Sequence, residues 1–451
     1  MEFTRRLSRL WRHRDFRLLT LVRCFGQSGD GTAQVGMASY LLFSPQSQTS
    51  AWAVAGVLAL TTLPYSLIGP FLAVFLDRFS RQRISILVDS VRILCSLVLV
   101  LLIGGHHTSG ASQVVLTFML LIMLSLNRFT LAGLQAGLAR TVSDDEYLDA
   151  NSIMPMIGPL GLIVGGGSAG AIRLLVGGRA GVDTANALIF VLAAVLFCCS
   201  ALTCTRIPRT ALGPAPGEHH KTMTEVANGL VMALRHLASR RPAWLALSVQ
   251  SVVRIGYGML MAMVIVVYRH YLTPSGNLTA ALAGIGLWFL VSGIGFALSG
   301  IVAAPLGHRL GVRHCIIVLL VVMALSQAIP GSIFWVPTLV LNGFVMGLIG
   351  QSVKIQVDTV VVAHIDDAYK GRVFTIYDAI YNLSTVLGAV IAALLLPANG
   401  VSVPVTAGFG AVYLLAAVGF AAGSRALGNA VFDLGTRANP RRADSHGTQA
   451  G

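Results

Sequence analysis

Residues 73–83 read AVFLDRFSRQR, and 231 positions later residues 304–314 read APLGHRLGVRH. Each is a short basic segment set between long apolar runs. The match has company. SDDEYLDAN (143–151) is answered by IDDAYKGRV (365–373) at an offset of 222, and Arg23 falls on Arg254 at the offset of 231, both arginines lying inside apolar stretches. Three matches in one order, at near-equal offsets, mark an internal repeat. Tandem repeats of membrane helices make a transporter whose site lies between the halves and whose access alternates as one half rocks against the other.

The runs around these segments are long enough for that reading. The chain has 451 residues, 55% hydrophobic and 11% charged, with a mean hydropathy of +0.76. A soluble domain carries about 25% charged residues, so this composition excludes a large soluble core. The apolar residues fall in blocks of about twenty, the length that crosses a ~30 Å hydrocarbon layer. Spans are expected near 16–43, 51–76, 84–104, 114–138, 152–173, 184–205, 242–267, 279–305, 314–333, 336–362, 373–396 and 402–423. The expected architecture is all-α and integral to the membrane: twelve transmembrane helices in two pseudo-symmetric six-helix halves. Residues 1–205 form the first half and 242–424 the second. Between them, 206–241 is a cytoplasmic linker, and 425–451 a disordered tail.

Charge sets the orientation. The net charge is +14, which in a soluble protein would suggest nucleic acid; here basic residues instead collect in cytoplasmic loops. Arg5, Arg6, Arg9, Arg12, Arg14 and Arg17 precede the first span, Arg78, Arg81 and Arg83 follow the second, and the stretches 44–50, 105–113, 334–335 and 397–401 carry no Lys or Arg. Both termini are therefore expected inside, with no nucleic-acid partner. In the linker, Val226, Leu230, Val231, Leu234 and Leu237 recur at helical spacing, as in an amphipathic helix on the inner membrane face. The six cysteines lie in or beside apolar runs and read as small buried hydrophobes.

The residues in these segments resemble the major facilitator superfamily. Its signature between spans 2 and 3, G-x-L-A-D-R-x-G-R-R, stands here as 73–82, with Asp77, Arg78 and Arg81 in place and both glycines replaced. Gly161, Gly165, Gly166, Ala169 and Gly170 partly match the glycine-rich span 5 of its drug-efflux branch, without the usual proline. Phe16-Arg17, Arg23, Gly29-Asp30 and Gly371-Arg372-Val373-Phe374 resemble the subgroup holding the enterobactin exporter and macrolide efflux proteins. The resemblance covers about 10–425. It implies the major facilitator fold, a central cavity lined by spans 1, 4, 7 and 10, close helix packing at Gly161, Gly165, Gly166 and Gly170, and a cytoplasmic gate. Gate residues would be Asp77, Arg78 and Arg81 in the first half, His308 and Arg309 in the second, and Arg372 at the start of span 11. Because histidine supplies no fixed negative charge where Asp77 does, the latch is expected to be asymmetric.

An ionisable residue at mid-membrane costs about 2.5–3.5 kcal/mol on insertion scales, so each is a functional candidate. Asp30 lies about fourteen residues into span 1, roughly 21 Å at the helical rise and past the midplane, and Arg128 lies at similar depth in span 4. A carboxylate beside a cation, in a cavity whose wetness changes, takes up and releases protons. Asp30 with Arg128 is the expected proton-coupling pair; a structural ion pair stays open beside it. Arg254, which cannot carry the proton, suits an anionic or catechol-like group; a paired helix–helix contact stays open beside it. The expected substrate cavity holds Arg23, Gln27, Asn127, Arg254, Tyr257, Asp378 and Tyr381. Lys354 with Asp358, and Asp89 with Arg92, are at i,i+4 and i,i+3 spacing and read as self-neutralising pairs.

No G-x-x-x-x-G-K-[ST] loop is present, so ATP is not the expected energy source. The His106-His107 and His219-His220 pairs lack ligand companions at metal spacing. Neither catalysis, a cofactor nor a metal is expected. The expectation is a monomeric, proton-coupled exporter of amphipathic small molecules, drug or siderophore-like, in a bacterial cytoplasmic membrane. An importer of a polar nutrient and a lipid flippase are the alternatives.

Overall fold

The computed structural model describes residues 9–43, 50–68, 80–105, 110–138, 141–143, 146–208, 211–212, 222–273 and 277–432. The described residues are all helical or irregular, with no strand among them. The first half holds α1 (Arg14–Phe43), α2 (Ala51–Ile68), α3 (Arg81–Gly104), α4 (Gly110–Leu138), α5 (Tyr147–Ala180) and α6 (Val182–Thr205). A linker helix, α7 (Met223–Ser239), follows. The second half holds α8 (Arg241–Val267), α9 (Leu278–Leu310), α10 (Val312–Ala328), α11 (Val336–His364), α12 (Asp367–Leu395) and α13 (Val403–Ala426). Among the described residues, nine stretches are long and apolar enough to cross a membrane. The remaining long helices, α1, α2 and α4, stand where spans 1, 2 and 4 are expected, which is consistent with twelve.

Helix α3 is built inside out relative to a soluble helix. In α3, Ser85, Val88, Asp89, Arg92, Cys95, Ser96, Leu99 and Ile103 are buried, while Leu87, Leu94, Leu97 and Leu101 are exposed. The inward residues recur every three to four positions, one face of a 3.6-residue helix. That face carries the polar groups, and leucines cover the outer one. A bilayer accepts the leucines without cost, whereas Asp and Arg need partners inside the bundle.

Two connections are tighter than the apolar runs suggest. Gly181 (φ 92°) joins α5 directly to α6, and Gly311 (φ 77°) joins α9 to α10. Both sit in backbone conformations that only glycine adopts without strain. So α5 extends from Tyr147 to Ala180, beyond the expected 152–173. Likewise most of 304–314 is helix, with His308 and Arg309 exposed on the last turn of α9.

The chain divides into two compact units, residues 1–47 with 63–226 and residues 48–62 with 227–451. In the first, α1 packs on α5 and α6, and α3 on α4 and α6. In the second, α8 packs on α12, α11 and α13, α9 on α11, and α10 on α13 and α11. The linker helix belongs largely to the second unit. It buries Gly229, Ala233 and Leu237, while Val231 and Leu234 of the expected apolar face are exposed. Arg240 Nη2 donates to both oxygens of Asp366 at 3.0 and 3.1 Å, and the His236 ring stacks on Tyr369 at 4.5 Å.

Candidate functional site

The first unit closes around one guanidinium. Arg92 on α3 donates from Nη2 to Asp30 of α1, from Nη1 to Asp89 Oδ1 at 3.2 Å, and from Nε to the Met123 carbonyl of α4 at 3.5 Å. Its flat face lies 4.5 Å from the Phe197 ring centroid on α6. Ser200, also on α6, donates to Asp89 Oδ2 at 2.6 Å. Asp30, Asp89 and Arg92 are all buried, Arg92 completely. Arginine suits this place because its planar fork serves two carboxylates at once and stacks on a ring, which a lysine does not do.

A second arm runs from Asp30 along α1. Gln27 Nε2 lies 3.1 Å from Asp30 Oδ2 and 3.0 Å from Asn127 Oδ1 of α4. The Arg23 guanidinium and the Gln27 carbonyl both border Gly158 of α5, within 3.6–3.7 Å of where a β-carbon there would stand. The structure thus brings Arg23, Gln27, Asp30 and Asn127 together. Asp30 also pairs with Arg92; the side chain of Arg128, its expected partner, lies outside the described residues. Asp89 and Arg92 do pair, at 3.2 Å, but not with each other alone; they are the centre of the cluster. The sequence signal for this was present, two charges in one apolar span, and i,i+3 spacing made it look self-contained.

The gate expectation fares differently residue by residue. Asp77 and Arg78 lie outside the described residues. Arg81 is buried and donates to the Leu212 carbonyl at 2.8 Å, while Gln82 donates to the Cys204 and Ile207 carbonyls at 3.2 and 2.6 Å. These two residues cap the open end of α6 and hold the start of the linker, because a helix end leaves carbonyls unsatisfied. At 231 positions further, Arg313 does the same for α13, donating to Ser424 Oγ at 2.8 Å and the Ala421 carbonyl at 3.4 Å. Arg372 is exposed and lies against Gly229 of α7, where a β-carbon would be 3.1 Å from its Nε. It supports the linker helix.

Of the four packing glycines, Gly161 and Gly165 meet the backbone of α1 directly; a β-carbon on Gly165 would collide with the Ser28 carbonyl. Gly166 allows ordinary contact with Val35, and Gly170 faces open space. Gly170 is thus no packing residue; it lies five residues, about one and a half turns, beyond the close contact at Gly165.

The same contact exists in the second unit, and it resets the repeat register. Gly31 meets the Leu162 carbonyl and Gly165 that of Ser28; Gly258 meets the Thr385 carbonyl and Gly388 that of Ile255. Gly29 lies on Phe197 as Gly256 lies on Tyr413. Gln27-Ser28-Gly29-Asp30-Gly31 therefore corresponds to Arg254-Ile255-Gly256-Tyr257-Gly258, an offset of 227 within this helix. The mate of Arg254 is Gln27, not Arg23, and the mate of Asp30 is Tyr257.

Arg254 opens on a cavity of about 380 Å³ inside the second unit. Its Nε donates to Thr385 Oγ1 at 3.0 Å, and its guanidinium carbon lies 4.0 Å from the Tyr381 ring centroid and 4.9 Å from that of Tyr257. Phe289, Phe296, Met323 and Met346 supply the apolar wall. Lys354, on α11, binds Asp358 at 2.7 Å as expected, yet its ammonium also lies 5.2 and 5.9 Å from the Tyr377 and Tyr381 rings. Asp378 is exposed on α12 and does not line the cavity.

These features agree with comparisons to known proteins. The Major Facilitator Superfamily model matches residues 249–442. Two uncharacterized MFS-type transporters, from Mycobacterium bovis and Mycobacterium tuberculosis, are each 30% identical over 405 residues, 89% of this chain and 89% of theirs. Among solved structures, the nucleoside transporter NupG aligns with a TM-score of 0.65 at 13% identity, covering 91% of this chain and 99% of its own. The POT family transporter PepTSo aligns at 0.64 and 13%, covering 92% and 98%; at these identities the likeness is one of fold. With its apolar helices, paired half-structures and full-length relatives, the chain belongs to the major facilitator superfamily and is a multi-pass membrane transporter rather than an enzyme.

Proposed function

We propose that this transporter is a proton-coupled exporter of amphipathic small molecules, such as drugs or siderophore-like metabolites, working by alternating access. It would sit as a monomer in a bacterial cytoplasmic membrane with both termini inside. The observation that carries the coupling is the buried cluster in which Asp30 and Asp89 share Arg92. Two carboxylates around one fixed cation make a site that accepts or releases a proton as its surroundings wet and dry, and the arginine keeps its charge throughout. Among the described residues the second unit has no such cluster: Met323 stands at the repeat position of Arg92, inside the cavity lining. Proton handling thus falls to the first half and cargo contact to the second. The superfamily fold is shared with peptide and nucleoside transporters, so the cargo is read from the cavity, whose wall is mostly aromatic, thioether and glycine. That lining favours an amphipathic molecule over one needing many hydrogen bonds.

Cells carrying the wild type or Asp30→Asn are compared for efflux of cationic dyes, macrolides and catecholate siderophores, with and without a protonophore. The expected result is protonophore-sensitive efflux that Asp30→Asn reduces to the level of cells lacking the protein. Export insensitive to the protonophore, and retained by Asp30→Asn, would sink the coupling reading.

A further inference from the structure

We infer that the cargo carries a negative charge: the cavity of the second unit is built to bind an aromatic or other flat apolar body by its walls and an anionic group by Arg254. The inference rests on the transport reading above and narrows its cargo.

Four observations lead to it. First, Arg254 is only half buried in a membrane helix, where an uncompensated cation is expensive, and among the described residues no carboxylate pairs with it. Two acidic residues of the neighbouring helices are otherwise placed: Asp358 is held by Lys354 at 2.7 Å, and Asp378 is exposed and does not line the cavity. Second, the side chain is preset. Thr385 Oγ1 accepts a hydrogen bond from Nε–H, so both terminal amino groups remain for a ligand, and the tyrosine rings lie 4.0 and 4.9 Å from the guanidinium carbon. A guanidinium presenting its outer edge in this way matches the two oxygens of a carboxylate or the oxygens of a sulfonate or phosphate. Third, the wall is rigid. Trp288 is completely buried, donates to the Leu339 carbonyl at 3.1 Å, and lies 6.3 Å from Tyr257 and 5.1 Å from Phe289. Fourth, there is room: Gly293 faces open space and Gly350 has only Val253 near it, at 3.7 Å. A volume of about 380 Å³ lies in the range of small-molecule pockets.

At this repeat position the charge is particular to the second half: Gln27, the mate of Arg254, is neutral and already engaged by Asp30 and Asn127.

Binding to the purified full-length protein in lipid nanodiscs tests this without requiring transport. The probes are 2-naphthoate, 2-naphthamide and 2-naphthylmethylammonium, which share one aromatic body and differ in charge. Wild type is expected to bind the carboxylate about tenfold or more tighter than the amide, a difference of about 1.4 kcal/mol, and the ammonium weakest. Arg254→Gln is expected to erase the preference for the carboxylate over the amide while the amide's own affinity persists, which shows the cavity intact. Arg254→Lys is expected to keep part of it. Equal binding of carboxylate and amide by wild type, absence of carboxylate binding, or a preference unchanged in Arg254→Gln would overturn the inference. The coupling reading fails separately: protonophore-insensitive efflux leaves the charge preference standing, and loss of the preference leaves coupling standing.

Discussion

Arg92→Met is expected to lower stability by about 3–5 kcal/mol, the range found when one partner of a buried ionic group is removed. The loss should show as a fall in melting temperature and in the monodisperse fraction of detergent-extracted protein. Asp30, Asp89, the Met123 carbonyl and the Phe197 ring all converge on this one guanidinium. Without it, two buried carboxylates face each other across a hole. Asp30→Asn should be far milder, because Arg92 keeps Asp89 and the amide still fills its place. Adding Asp89→Asn to Arg92→Met should recover part of the loss, since one stranded charge then disappears. Equal stability of Arg92→Met and Asp30→Asn would show that Arg92 is not the centre of the cluster.

The second large effect is steric. Gly165→Ala and Gly388→Ala are each expected to destabilise by about 1–3 kcal/mol or more, because the added methyl meets a backbone carbonyl that has nowhere to move. Gly170→Ala, five residues from Gly165 on the same helix, should instead stabilise by about 0.5–1 kcal/mol, the ordinary gain of removing a helical glycine where there is room. Opposite signs on one helix separate contact from propensity. The measurement is the melting temperature of each variant in one detergent, and matching signs for Gly165→Ala and Gly170→Ala would contradict the packing described.

Much of the fold is legible in the chain because a membrane imposes length and composition together. The apolar blocks locate helices, and the linker helix shows in its 3.6-residue pattern. What could not be read was register between the halves. One offset of 231 holds for Gln82 and Arg313 on α3 and α10, but α1 and α8 match at 227 and α5 and α12 at 223. An offset is constant only within an uninterrupted helix; each connecting loop that differs in length resets it. So Arg23 was paired with Arg254, although the two-glycine spacing of 27–31 and 254–258 was there to be seen. The site was half legible for a similar reason. Intramembrane charge names Asp30, Arg92 and Arg254, but partnership across 62 positions depends on which helix faces which. Sequence spacing favours the neighbour one turn away, and so Asp89 claimed Arg92 alone. Arg81 shows the converse: a residue taken for a moving gate is fixed on a helix end, where unsatisfied carbonyls need it.

The enclosure of Asp30, Asp89, Arg92 and Ser200 within residues 30–200 also constrains biogenesis. Span 1 enters the translocon with its aspartate 62 residues ahead of the arginine that will hold it. At about 5–20 residues per second, that is roughly 3–12 s of synthesis. Until span 3 emerges, an aspartate-bearing helix gains little from the lipid, so it is best kept at the insertion machinery. Assembly order is thereby written into charge placement. Helices 1 and 3 must meet before the first is released, helix 6 then seals the cluster with Ser200 and Phe197, and the first half can finish its costliest step before the second half is made.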